Sequence, residues 1–369
     1  MSEHNELNRD VWCILGLPFD AVDMKLTIEK IHDSIQNQQP CFLSTPNLNF
    51  LVASQKQAAF RESVIQSDLS IADGMPLIWM AKFLGLPLNE RVPGSGLIEN
   101  LNTVGTTEDK KIKVFFFGGM EGIAEKACTV LNSLGRQMLC VGSYYPGFGS
   151  VDDMSKDSVL DEINSCGPDF VIVSLGAKKG QEWIINNRDK INAPVISHLG
   201  AVVNFIAGNI ERSPVWMQKS GLEWLWRIYQ EPGLWKRYAT DGLVFIKLLF
   251  TRIIPYKIFL VMNGDSYNSN VCSIDMLEND DGIELIMKGA LTHKNIELIR
   301  ESFKKALDTR KKIKINLEET TYMDSAVIGL ITILDKLLRN NDLNLSLISL
   351  SRRIKRVFFY NGALFLLKS

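Results

Sequence analysis

The sequence predicts an α/β chain in two parts: a parallel sheet covered by helices on both faces, followed by a smaller α/β domain. Three observations carry this expectation. Short apolar runs alternate with segments of helical spacing from residue 41 to residue 200, the pattern of a parallel sheet buried on both sides. The run Asn263-Gly264-Asp265-Ser266-Tyr267-Asn268-Ser269-Asn270 is polar and turn-forming, which marks a linker. The length, 369 residues, suits two domains at about 100–200 residues each.

Residues 11–17 read as a buried strand. Residues 21–37 read as a helix, with Val22, Leu26, Ile28, Ile31 and Ile35 at helical spacing. Residues 41–44 read as a strand ending at Thr45-Pro46-Asn47, and 48–65 as a helix. Residues 70–72 form a short apolar stretch ending at Asp73-Gly74, before a helix over 75–85. Strands follow at 112–117, 139–148, 168–176 and 194–200, with helices over 121–134 and 180–190 between them. After the linker come strands at 271–277, 283–287, 312–317 and 343–349, and helices over 293–309, 325–340 and 351–360.

Composition narrows the function classes. The net charge of −1 gives no basic field for nucleic acid. Four widely spaced histidines and cysteines without a CxxC pair argue against a zinc site. The six cysteines read as buried free thiols. The polar opening MSEHNELNRD lacks a cationic stretch followed by an apolar one, so the chain is expected in the cytoplasm.

Ligands of parallel α/β sheets bind beyond the carboxyl ends of the strands. Here those ends carry Thr45, Asn47, Asp73, Gly118, Gly119, Tyr145, Gly147, Gly176 and Gln181. Residues 212–262 change character. Trp216, Trp224, Trp226 and Trp235 interleave with Arg212, Lys219, Arg227, Lys236 and Arg237, a pattern suited to an anionic membrane surface. The apolar stretch 243–261 carries Lys247, Arg252 and Lys257, so a helix lying on the bilayer is expected rather than one spanning it.

Several stretches occur in order: Thr45-Pro46-Asn47, Ala72-Asp73-Gly74-Met75-Pro76, Glu90-Arg91-Val92-Pro93-Gly94-Ser95, Phe116-Phe117-Gly118-Gly119, Gly176-Ala177-Lys178-Lys179-Gly180-Gln181-Glu182-Trp183, Arg212-Ser213-Pro214 and Gly221-Leu222-Glu223-Trp224. Over residues 10–240 this set resembles the WecG/TagA/CpsF family of bacterial glycosyltransferases. The resemblance implies a Rossmann-like domain at 10–211 and a membrane-associating appendage at 212–262. It implies inverting, metal-independent transfer of N-acetylmannosamine or a related hexose or uronic acid. The donor would be a UDP-sugar and the acceptor a polyprenyl-diphosphate-linked sugar, at the cytoplasmic face of the membrane, in cell-surface polysaccharide synthesis.

Such a transfer needs a base for the acceptor hydroxyl, cations for the diphosphate and hydrogen bonds to the sugar. The resemblance makes Asp73 the base, although a carboxylate there also suits a helix cap. It has Thr45, Asn47 and Gln181 hold the donor sugar and Arg91 contact the diphosphate, with Gly118 and Gly119 also substrate-binding and the tail closing over the site to bring in Arg227 and Arg237, and with no cofactor. The adjacent pairs Asp152-Asp153 and Asp280-Asp281 read as loop charge rather than a metal-binding DxD. Glycine at 180 and 96 and the shortened stretch at Leu234 depart from the family pattern and leave the donor sugar open.

Residues 271–369, with Asp324-Ser325 before a helix, resemble the STAS domain. That resemblance implies Ser325 as a phosphorylation switch and a STAS-binding regulator or kinase as partner, with a plain interaction module as the alternative. Two other readings of the whole chain stand beside the transferase: a non-catalytic UDP-sugar sensor signalling through the STAS domain, and an NAD enzyme, which lacks its full glycine fingerprint.

Overall fold

A computed structural model of the chain describes residues 3–103, 111–263, 272–279 and 282–368. Most of the predicted linker and the pair Asp280-Asp281 lie outside them. The chain opens with helix α1 (Glu3–Leu7) and a hairpin, β1 (Val11–Ile14) and β2 (Leu17–Asp20). The hairpin corrects the single strand expected over 11–17. Leu15 and Gly16 both have positive φ, 50° and 88°, and turn the chain back so that Ile14 pairs with Leu17.

The main domain then runs α2 (Met24–Gln36), β3 (Cys41–Ser44), α3 (Leu48–Lys56), α4 (Ala58–Ile65), β4 (Leu69–Ser70), α5 (Met75–Leu84) and α6 (Gly94–Thr103). It continues with β5 (Ile112–Gly118), α7 (Ile123–Ser133), β6 (Met138–Tyr144), α8 (Asp157–Ser165), β7 (Phe170–Ser174), α9 (Ala177–Asn187), β8 (Val195–His198) and α10 (Val202–Ile206). The expected helix over 48–65 is two helices, because Gln57 adopts an extended conformation between them.

Six strands form one parallel sheet in the order β4-β3-β8-β7-β5-β6. Alternation along β5 feeds both layers. Val114 and Phe116 enter the core under α6, α7 and α10, while Phe115 and Phe117 enter the core with Trp183 of α9. Cys128 on α7 and Cys140 on β6 are bonded, their Cα atoms 5.2 Å apart, which corrects the expectation of six free thiols. The helix folds back over its own following strand and brings the two sulfurs together. Burial pushes the Cys13 and Cys41 thiols up to about 12, so both stay protonated.

The appendage comprises α11 (Val215–Ser220), α12 (Glu223–Gln230), α13 (Trp235–Leu248) and α14 (Ile254–Met262). A π-helical stretch, Leu249–Ile253, joins the last two and accommodates Pro255, which has no N–H to offer the preceding turn. No helix among the described residues is long and apolar enough to cross a membrane.

The second domain is a five-stranded sheet with three helices. Its elements are β9 (Cys272–Asn279), β10 (Gly282–Leu291), α15 (Ile296–Asp308), β11 (Ile313–Asn316), β12 (Thr320–Met323), α16 (Ser325–Asn340), β13 (Leu345–Ile348) and α17 (Arg352–Tyr360). Strand β12 is not among the strands expected from the sequence. It has only four residues and pairs with β10 at Ala290 and Leu291, so its partner rather than its own pattern makes it a strand.

The two domains share a core. Val11, Cys13, Leu15 and Leu17 of the hairpin pack in one apolar cluster with Val327, Ile331 and Leu334 of α16. A Cβ on Gly329 would sit 2.7 Å from the Val11 carbonyl oxygen, so the helix lies on the strand at glycine distance. Lys336 is buried at this seam, 3.1 Å from Glu6 and 3.5 Å from Asp68.

Candidate active site

The carboxyl ends of β3, β4 and β8 open into a cavity of about 660 Å³. Thr45 and Asn47 line it directly after β3. Asn47 also caps α3, accepting a hydrogen bond from the Phe50 N–H at 3.3 Å. Asp73 and Gly74 line it after β4. The capping role open to Asp73 is not taken, because Gly74 holds the cap position of α5 and no side chain bonds that helix end. The Asp73 backbone N–H is tied to the Pro46 carbonyl at 3.0 Å, which fixes the two strand ends together.

The Asp73 carboxylate lies 3.5 Å from Arg91 Nε. Arg91 Nη2 reaches Glu223 of α12 at 2.5 Å. Although 26% of the Asp73 side chain faces the cavity, protein surrounds it. Loss of solvent is the largest influence and pushes its pKa up to about 6; Arg91 opposes this and the Glu223 carboxylate adds to it. A carboxyl poised near 6 is mostly ionised at neutral pH and accepts a proton more readily than a free aspartate.

The far wall of the cavity is the appendage, which supplies Glu223, Trp224, Arg227, Arg237, Tyr238 and Asp241. Arg227 bonds Glu231 at 2.9 Å and sits 5.5 Å over the Phe205 ring. Arg237 stacks on Tyr238 at 5.0 Å. Two contacts seat this wall on the domain. Asn49 of α3 donates to Asp241 at 3.0 Å. Gly221, with φ of 76°, lies so close to α5 that a Cβ would come within 2.7 Å of the Trp79 ring. His198 also lines the cavity; burial lowers its pKa, so it is neutral, with Nε2 2.7 Å from the Leu175 carbonyl oxygen.

The structure thus brings Thr45, Asn47, Asp73, Arg91, Arg227 and Arg237 to one cavity. Three other candidates do not line it. Gln181 is buried on α9, exchanging hydrogen bonds with the Ser44 hydroxyl at 3.3 Å, one residue before Thr45. Gly118 and Gly119 form the turn after β5, where the Gly119 N–H bonds the Ser174 carbonyl at 2.7 Å and a Cβ on Gly118 would strike it. Asp153 bonds the Ser150 hydroxyl and N–H within its own turn. Ser325 stands apart from the cavity, 1% exposed beside Tyr256 of α14, and Asp324 caps α16 next to it. Sequence reasoning missed Glu223 as a site residue. Its signals were its place in the family stretch Gly221-Leu222-Glu223-Trp224 and at the first position of an amphipathic helix.

Residues 12–257 match the Glycosyl transferase WecG/TagA/CpsF family, two-thirds of the chain. The chain belongs to that family. It is a glycosyltransferase with a STAS domain matched at residues 273–368. Similar curated proteins are the N-acetylglucosaminyldiphosphoundecaprenol N-acetyl-beta-D-mannosaminyltransferases of Staphylococcus aureus strains MW2 and NCTC 8325 / PS 47. Each is 26% identical over 226 residues, covering 61% of this chain and 85% of the relative. Among solved structures, the Bacillus cell fate determinant SpoIIAA in its phosphorylated form is 22% identical, with a TM-score of 0.22, over 25% of this chain and 85% of that one.

Proposed function

We propose that the chain transfers a hexosyl group, N-acetylmannosamine or a related hexose or uronic acid, from a UDP-sugar to a polyprenyl-diphosphate-linked sugar, with inversion and without a metal ion. The observation that carries this reading is Asp73, held in a cavity between Arg91 and an arginine-bearing wall. The acceptor hydroxyl attacks the anomeric carbon, the bond from that carbon to the UDP oxygen breaks, and Asp73 takes the hydroxyl proton. Arg91, Arg227 and Arg237 carry the positive charge that offsets the diphosphate, in forks that fit its oxygens. Thr45 and Asn47 hold the donor sugar, and Gln181 braces Ser44 beneath them. Glu223 holds Arg91 against the base.

The acceptor class rests on the relatives, whose printed activity is on N-acetylglucosaminyldiphosphoundecaprenol. A lipid-linked acceptor also accounts for the appendage surface. Trp216 is 63% exposed, Trp235 55%, Leu243 71% and Phe250 65%, on helices that also carry Lys219, Lys236 and Lys247. Rings and cations together suit the headgroup region of an anionic bilayer. The protein works in this reading as a peripheral enzyme on the cytoplasmic membrane face, in cell-surface polysaccharide synthesis, with the STAS domain regulating it.

The test is a panel of UDP-sugars with a short-chain polyprenyl-diphosphate-linked N-acetylglucosamine, read as UDP release with and without a chelator. Release with UDP-N-acetylmannosamine or a close relative, undiminished by chelation, supports the reading. No release with any donor, or strict dependence on added magnesium or manganese, overturns it.

A further inference from the structure

The appendage has two ends with different neighbours. Its first half, α12 and α13 as far as Phe245, forms the cavity wall. Its last half lies mainly on the STAS domain, with Lys257 also 5.9 Å over the Phe83 ring of α5. Tyr256 is 1% exposed in the shared core and sits 6.2 Å from Tyr360. Phe259 stacks on Tyr322 at 6.3 Å with the rings 9° from parallel. Arg252 lies 3.8 Å over the Phe359 ring and donates to the Phe359 carbonyl, and Arg353 donates to Asn263. The π-helical stretch joins the two halves without an intervening loop, so the backbone stays helical from Trp235 to Met262.

The STAS domain is held from the opposite side by the transferase base. Gly329 lies on β1, and a Cβ on Gly362 would come within 2.6 Å of the Leu15 carbonyl carbon. Lys336 pairs with Glu6 and Asp68, and Arg300 donates to the Leu7 carbonyl at 2.6 Å. Backbones at glycine distance and a buried ion network tolerate little displacement, because separation leaves charges unpaired. The α14 seam is thinner: Tyr256 is the one residue of that helix that is fully buried.

We infer that the STAS domain's docking partner is the chain's own appendage, and that this contact holds the appendage against the transferase cavity. The STAS domain is a strut, fixed to the hairpin on one side and bearing the far end of the appendage on the other. When a seam yields, it is the one at α14, and the wall carrying Glu223, Arg227 and Arg237 loosens. This holds for any sugar the cavity takes, so its outcome is separable from that of the proposed reaction.

The test is hydrogen exchange on the full chain. Phe259→Ala and Tyr360→Ala weaken the seam from its two sides, and Ile258→Ala, 54% exposed on the same helix, is the control. Both seam variants are expected to speed exchange over residues 223–241 about tenfold or more, while 170–174 and 325–340 keep wild-type protection. The control leaves all three segments unchanged. Unchanged exchange over 223–241 in the seam variants overturns the inference. So does an equal rise across the three segments, which reports loss of global stability instead.

Discussion

The Arg91 guanidinium joins two carboxylates from different parts of the chain: Nε lies 3.5 Å from Asp73 of the domain, and Nη2 lies 2.5 Å from Glu223 of the appendage. Arg91 thereby stabilises the ionised form of Asp73, while Glu223, sharing the same cation, destabilises it. The position of the appendage and the basicity of Asp73 are one electrostatic problem.

Removing the proposed base is the first consequence to measure. Asp73→Asn keeps the shape of the side chain and abolishes proton acceptance at the pH of the assay. Turnover is expected to fall by about a hundredfold to ten-thousandfold, the usual contribution of a positioned base. UDP affinity, read by calorimetry, should stay within a few-fold. Turnover near the wild-type value would remove Asp73 from the mechanism.

The pH profile follows from the same group. Asp73 must be ionised to act, so kcat/KM rises with pH through about 6 and then levels. Glu223→Gln takes away an influence that raises the pKa, so the acidic limb should move to lower pH. Arg91→Gln takes away the one that lowers it most, so the limb should move to higher pH. Shifts of the same sign in both variants would contradict the arrangement.

Arg237 and Arg227 approach the cavity from the appendage, with aromatic stacking as their main or additional support. Replacing either with alanine should raise the donor KM and lower kcat/KM by about ten- to a hundredfold, near the value of a charge-assisted hydrogen bond. Added magnesium should not restore the loss. Rescue by the metal would mean that a cation, not the guanidinium, neutralises the diphosphate.

Membrane attachment is expected through the exposed rings. Trp216→Ala with Trp235→Ala should weaken binding to vesicles containing anionic lipid, read by sedimentation, by about tenfold or more, and high salt should weaken it further. Release of UDP with a water-soluble acceptor should change little. Equal binding of wild type and variant would place the membrane contact elsewhere.

Stability depends on the seam between the domains. Lys336→Met leaves Glu6 without that buried cation and should cost about 3–5 kcal/mol in denaturant unfolding. Burial would raise the Asp68 pKa, but Lys336 and Arg188 outweigh it and hold the carboxyl below its usual range. The stability that Asp68 contributes is therefore present above about pH 4 and is lost as pH falls below it. The variant should lose part of that acid sensitivity. An unchanged unfolding midpoint would show that the seam contributes little.

The sheet was legible because its strands are mostly apolar and its helices are periodic: residues 112–117 and 41–44 can be read without neighbours. Thr45, Asn47 and Asp73 were legible as cavity residues because they follow strands, and Arg91, in the loop after α5, because of its place in the family order. Gln181 belonged to the same pattern, yet it supports Ser44 from beneath, since sequence order does not show which side of a helix meets the cavity. Glu223 was not legible as a partner of Arg91, because 132 positions separate them and only the fold of the appendage closes that distance.

What the chain carried by itself was its fold class, its reaction class and the residues at its strand ends, since these depend on local pattern and on motif order. Tertiary structure alone decided the rest. It made residues 11–20 a hairpin seat for the second domain, and it buried Ser325 beside Tyr256. It also set Glu223 across Arg91 from Asp73. Each of these rests on contact between segments remote in sequence. Burial, charge pairing and the fit of Gly329 against Val11 have no counterpart in a single segment, because they exist only after both surfaces have left water.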